Sequence, residues 1–188
     1  MHVIEPFFSW RHHYIASEDP RSPFYGRTYS EIEFSHAIYN YLIHPQWDLF
    51  GSATLVAKVL YADYDNHFAV IELMGEWNDI LYNDIMYLKN NLLDLMIDQE
   101  INRFILIGEN VLNFHAGDDD YYQELFEDLE TDGYIIAIGF QWHVVNEFLQ
   151  YNLGDYIFFP DEENDIPLWR TFSPLQLKHF VESSIQVE

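Results

Sequence analysis

Two short apolar runs, RFILI at 103–107 and YIIAIGF at 134–140, most restrict what this 188-residue chain can fold into. Each is nearly continuous rather than alternating, as expected of a strand covered on both faces. Between them DDDYYQELFEDLE (118–130) carries Tyr122, Phe126 and Leu129 at helical spacing, and Gly133 suits the exit from that helix. Ahead of them, from Asn78 or Asp79 to about Gln99, the residues Leu81, Ile85, Leu88, Leu92 and Leu95 step by four, three, four and three. Strands that alternate with helices call for parallel pairing and crossover connections. The two runs should therefore be neighbouring parallel strands, with both helices packed on their sheet and with Leu88 and Leu92 buried.

The flanking segments complete this pattern. TLVAKVLYA (54–62) and HFAVIELMG (67–75) read as a hairpin turned by DYDN. HVVNEFLQY (143–151) reads as a short helix, YIFF (156–159) as a last short strand, and Ser173-Pro174 as the cap and first-turn proline of a helix over about 173–185. The fold class is thus α/β, with a mixed sheet that opens with a β-hairpin and continues as alternating helices and parallel strands.

Residues 1–53 form an N-terminal extension to a body at 54–188. Residues 1–29 are rich in aromatics, Pro and Gly without sustained periodicity, and SEDPRSPFYGR (17–27) reads as a loop that packs on the body. In SEIEFSHAIYNYLI (30–43), Ser30 and Glu33 match a helix capping box, whereas Ile32, Phe34, Ile38 and Leu42 fit a period of two. Strand is the reading adopted for 30–43, and HPQWDLFGS (44–52) follows as a loop.

Thirty-two acids face eight Lys and Arg, a formal net charge of −24, which repels nucleic acid and anionic membranes. Aromatics at 18% set the chain apart from disordered acidic segments. No run approaches the roughly 20 apolar residues of a membrane span, and the first residues lack the basic and apolar regions of a signal peptide. With no cysteine, thiolate and disulfide chemistry is excluded, and a cytoplasmic location is expected. Residues 1–60 hold four Lys/Arg against six acids, and the remainder four against twenty-six. Arg11, Arg21 and Arg27, beside His12 and His13, mark the one place where an anion would be held, unless they anchor the segment to the acidic body.

From about 54 to 160 the chain resembles the STAS domain, the fold of anti-sigma-factor antagonists. FAVIELMGEWN is similar to that family's second strand and the exit to its first helix, and INRFILIGENVLNFHAGDDDYYQELFEDL to its next strand, loop and helix. The resemblance implies a regulatory protein-interaction role. The family's phosphorylated serine would fall near His115-Ala116-Gly117-Asp118, yet no Ser or Thr occurs between Arg103 and Glu130. Serine phosphorylation at that loop is therefore ruled out by composition.

The candidate site follows from the rule that ligands in open α/β sheets bind beyond the carboxyl ends of the strands. That places Glu109 and Asn110 after one strand, Gln141, Trp142 and His143 after the next, and Asp161 and Glu162 after the last. Glu76, Trp77, Asn78 and Asp79 join them if their strand is parallel. His115 and His143 with carboxylates are a donor set for a divalent metal. Asp118, Asp119 and Asp120 suit a helix start, where acids accept free N–H groups and complement the dipole, and they do not match a calcium loop. His12, His13 and His36 stand apart from any ligand spacing. No nucleophile, Walker or dinucleotide motif is present, so no catalytic residue and no cofactor are expected.

Three functions are consistent with these features. The first is a non-enzymatic interaction or regulatory domain that presents the acidic loop 109–121 to a protein partner, a basic one where charge selects it. The second is a small-ligand-binding domain whose aromatic N-terminal segment closes a pocket. The third is a metal-dependent hydrolase at the strand ends.

Overall fold

The computed structural model describes residues 2–30, 32–34, 36–129, 132–160 and 168–185. Three short strands, β1 (His2–Ile4), β2 (Ala37–Ile38) and β3 (Tyr41–Ile43), form a small sheet in the order β1-β3-β2. The main sheet comprises β4 (Leu55–Asp63), β5 (Phe68–Asn78), β6 (Arg103–His115) and β7 (Tyr134–Ile138), in sequential order. Strand β4 pairs antiparallel with β5, whereas β5–β6 and β6–β7 are parallel. The two apolar runs are neighbours in register, from Arg103 opposite Tyr134 to Ile107 opposite Ile138. The fold is therefore α/β with a mixed sheet.

Side-chain alternation divides the core into two layers. Ala69, Ile71, Leu73, Phe104 and Leu106 face a layer built from the helices that follow β5, β6 and β7. Phe68, Val70, Ile105, Ile107, Ile136 and Ile138 face the other way, against Trp10, Trp169, Leu177 and Val181. Every residue of β5 is buried, because the strand is paired on both edges and covered on both faces. The segment before β2 contributes Ala16 and Phe24 to the first layer and Trp10 to the second.

The helix expected at 79–99 is interrupted. It runs as α1 (Asp79–Tyr82), α2 (Asp84–Leu88), a π turn (Lys89–Leu93) and α3 (Asp94–Ile97). Asn78 Oδ1 caps α1 by accepting from Leu81 N at 3.0 Å, and Asn83, left-handed at φ 52°, separates α1 from α2. Ile85, Leu88 and Leu92 are buried, as the spacing requires. Leu81 and Leu95 instead face solvent, at 72% and 44% exposure. Asn83 takes Leu81 off the stripe, and the extra residue of the π turn advances the buried face to Leu93 and Met96. Lys89, 2% exposed, binds Asp94, Glu124 and Asp128 at 2.8–3.3 Å and ties this helix to α4 (Asp120–Asp128). On α4 the buried positions are Tyr122, Leu125 and Leu129, and Phe126 is half exposed.

Helix α5 spans Trp142–Gln150, and α6 spans Pro174–Ile185 with Ser173 and Gln176 as a reciprocal cap. The expected strand 156–159 reduces to one bridge, Ile136 to Phe158. Among the described residues of 30–43, regular structure is confined to the hairpin β2–β3. Ser30 Oγ accepts from Ile32 N and Glu33 N, so the capping-box sequence forms a local turn without a helix.

Candidate functional site

Strand β6 is far longer than its apolar run, and this reshapes the predicted site. The expected loop 109–121 is strand through His115, because β5 continues to Asn78 and β6 stays paired with it. Two register shifts each place an additional β6 residue opposite β5, one between Glu72 and Met74 and one between Gly75 and Glu76. Each shift turns the following side chains over, so that Val111 and Phe114 both enter the helix-side core. Gly75, at φ 128°, sits at the second shift, and a Cβ there would lie 2.1 Å from Thr54 O. Because β5 is parallel to β6, residues 76–79 do share the carboxyl end of the sheet.

The predicted residues divide among separate clusters. Glu109 accepts from Trp169 Nε1 at 2.7 Å and from Arg170. Beside it lies Glu72, 1% exposed, which accepts from Phe7 N at 2.7 Å and from Asn110 Nδ2 at 3.5 Å. Burial pushes the Glu72 carboxyl up to about 7, against the opposing effects of the Phe7 N–H and Arg170, and the Glu109 charge raises it further. This pair joins β5 and β6 to the two chain ends.

His115 Nε2 lies 2.8 Å from Glu76 Oε1, and the other Glu76 oxygen accepts from Tyr39. His143 Nε2 meets Leu112 O at 2.8 Å, so the two histidines serve different partners. Asp118, Asp119 and Asp120 are exposed. Asp119 occupies the N-cap of α4 without a side-chain cap bond, and its Oδ2 accepts from Tyr156 at 3.3 Å. Trp142 is 60% exposed, whereas Trp77 is fully buried. Asp161 and Glu162 lie outside the described residues. Among the described residues, no three His, Asp or Glu side chains converge as metal ligands.

Two carboxylates at the β5–α1 junction are buried and fully bonded. Asp79 accepts from Tyr122 OH at 2.6 Å, Ile85 N at 2.8 Å and Trp77 Nε1 at 3.2 Å. Asp84 accepts from Ser52 Oγ at 2.6 Å, Thr54 Oγ1 at 2.8 Å and Asn78 N at 2.8 Å. Burial, followed by the Asp84 charge, pushes Asp79 up to about 6, although its Tyr122 and Ile85 bonds oppose the rise. Their donors come from four separate segments, which makes the pair a structural anchor for the strand end.

A small concave space lies elsewhere, between the N-terminal segment and β4. A cavity of about 250 Å³ is lined by Phe7, Phe8, Trp10, Tyr14 and Tyr29, with Arg11, Gln46 and Lys58 among its polar groups. The Lys58 Nζ is 3.0 Å from Asp48 Oδ2 and 4.0 Å from the centre of the Tyr29 ring. Asp48, fully buried, also takes Tyr29 OH at 2.5 Å and Arg27 Nη1 at 3.5 Å. Burial pulls the Lys58 ammonium below its ordinary range; Asp48 opposes this, and Arg11 and Arg27 add to it. The cluster of arginines and aromatics before residue 30 was the sequence signal for this site. The partners Gln46, Asp48 and Lys58 gave none, because the fold alone brings them there. A second hollow, lined by residues that include Phe34, His36, His44 and Trp47, opens beside β3.

No protein-family model matches the chain, and no curated protein matches it.

Proposed function

We propose that the chain is a small-ligand-binding domain whose pocket is the cavity between the aromatic N-terminal segment and β4. The observation that carries this reading is the lining: five aromatic rings and five polar side chains, Arg11, Ser17, Glu18, Gln46 and Lys58, line one concave space, a mixture found in ligand sites. The volume of about 250 Å³ sits just below the roughly 300–1,000 Å³ range of such sites, which fits a small ligand. The wall is well supported. Trp10 packs edge-on to Phe7 and Trp169, and its Nε1 donates to Phe172 O at 3.0 Å. The opening hairpin and the parallel strands β5–β7 support a STAS-like body beneath this segment.

Labelling the five tryptophans with 5-fluorotryptophan tests the reading, with Trp10→Phe assigning the wall resonance. A screen of small aromatic compounds is expected to shift the Trp10 signal saturably and leave that of Trp142 in place. Compounds that move only other tryptophans, or none at all, would defeat the proposal.

A second reading, a protein-interaction domain, is favoured by α1. It holds Ile80, Leu81 and Tyr82 in solvent at 64%, 72% and 45% exposure beside the acidic strand end. Such a patch on a soluble surface fits contact with another protein. Replacing all three with Ser should preserve the melting temperature and reduce association in pull-downs if this face binds a partner.

A further inference from the structure

The cavity gathers positive charge in a chain of net charge −24. Half of the eight Lys and Arg lie in the first 60 residues; Arg11 and Lys58 line the cavity, and Arg27 lies behind it on Asp48, the partner of Lys58. The one buried carboxylate among them, Asp48, is already saturated by Arg27, Tyr29 and Lys58. Arg11 donates to the neutral Gln46 and lies over the Phe8 ring at 4.4 Å. Among the described residues no carboxylate lies within 4 Å of it. Burial lowers the Lys58 ammonium most; Asp48 opposes this, and the like charges of Arg11 and Arg27 lower it further. Glu18, the acid on the lining, is exposed.

We infer that the cavity binds a small organic anion, with its charged group on Arg11 and Lys58 and its apolar body among Phe7, Trp10 and Tyr14. This rests on the small-ligand reading and specifies its ligand class. An anion relieves the uncompensated repulsion of the cations, and a guanidinium offers paired N–H donors that match a carboxylate or phosphate. The surrounding rings supply apolar contact. Inorganic anions alone lack the second half of this recognition. The chain's overall charge repels anions at long range, so selection depends on the local cations and strengthens when salt screens the distant acids.

Calorimetric titration with benzoate, phenyl phosphate, benzyl alcohol, benzylamine and inorganic phosphate, paired with the fluorotryptophan signal of Trp10, tests this. Benzoate or phenyl phosphate should bind at least about tenfold tighter than benzyl alcohol, a factor typical of one charge-assisted contact. The tighter of the two identifies the anionic group as carboxylate or phosphate. Arg11→Gln, at an exposed position, should erase the anion preference, and Arg11→Lys should restore part of it. Equal binding of all the aryl probes, with Trp10 responding, would overturn the anion assignment while leaving a ligand cavity. Benzoate binding unchanged in Arg11→Gln would overturn it as well. Inorganic phosphate binding as tightly as phenyl phosphate would overturn the aromatic half. No response to any probe would remove both this inference and the reading on which it rests.

Discussion

The Phe7 backbone N–H donates to Glu72 Oε2 at 2.7 Å, across 65 residues of sequence, and so fixes one wall of the cavity to the central strand. Glu72 is buried, with Arg170 Nη2 3.9 Å away and Glu109 beside it. The wall of the cavity, the sheet and the C-terminal segment therefore meet at one carboxylate.

The protonation of Glu72 should set part of the pH dependence of stability. Its carboxyl rises from an ordinary 4.5 to about 7 on folding, first through burial. The folded state therefore holds the proton more tightly than the unfolded state between those values, and stability falls as pH rises through that window. That rise corresponds to about 3 kcal/mol at most. Glu72→Gln keeps an acceptor for Phe7 and cannot ionise. Urea unfolding should find it more stable than the parent at pH 8, by up to about 3 kcal/mol, and close to the parent near pH 4.5. A difference that does not change between these pH values would contradict the assignment.

Asp84 should be among the most sensitive positions in the chain. It is fully buried and satisfies Ser52, Thr54 and the Asn78 N–H at once. Asp84→Ala leaves three donors without a partner and is expected to cost about 3–5 kcal/mol, read from the shift in denaturant midpoint at unchanged m-value. Asp84→Asn retains acceptor capacity at one oxygen and should cost less.

The π turn makes a register prediction that sequence periodicity alone gets wrong. A regular helix would bury Leu95 with Leu88 and Leu92. In the structure Met96 is fully buried and Leu95 is 44% exposed. Leu95→Asp should therefore shift stability by less than about 1 kcal/mol. Met96→Asp and Leu88→Asp should each prevent folding, since a lone buried charge costs several kcal/mol. Equal damage from Leu95→Asp and Met96→Asp, measured by thermal unfolding, would argue for an unbroken helix.

These residues also show where the sequence was legible. RFILI and YIIAIGF announce buried strands because the apolar pattern reports coverage on both faces, and they are paired as expected. Local pattern does not mark the end of β6, because pairing with β5 carries it through ENVLNFH. Its register shifts turn Val111 and Phe114 inward without any periodic signal. At the strand ends, the spacing of His115 and His143 could not show that Glu76 and Leu112 O hold them apart. The cavity was partly visible, since Arg11 and its aromatic neighbours stand out locally. Lys58 and Asp48 join them only through β4 and its bridge to Asp48.

The three consecutive aspartates at the start of α4 offer the converse of Asp84. Asp118, Asp119 and Asp120 are exposed, and the N-cap Asp119 makes no side-chain bond to the helix. Their contribution is thus electrostatic: attraction to the helix dipole, about 0.3–1 kcal/mol for a well-placed surface charge, set against repulsion among three adjacent carboxylates. Asparagine keeps an acceptor for Tyr156 OH and removes all three charges. The triple Asp→Asn variant should therefore stay within about 1 kcal/mol of the parent at low salt, and the remaining difference should vanish in high salt as the charges are screened. A loss above about 2 kcal/mol that persists in salt would mean that these side chains bond the backbone directly, as Asp79 and Asp84 do at the start of α1 and α2.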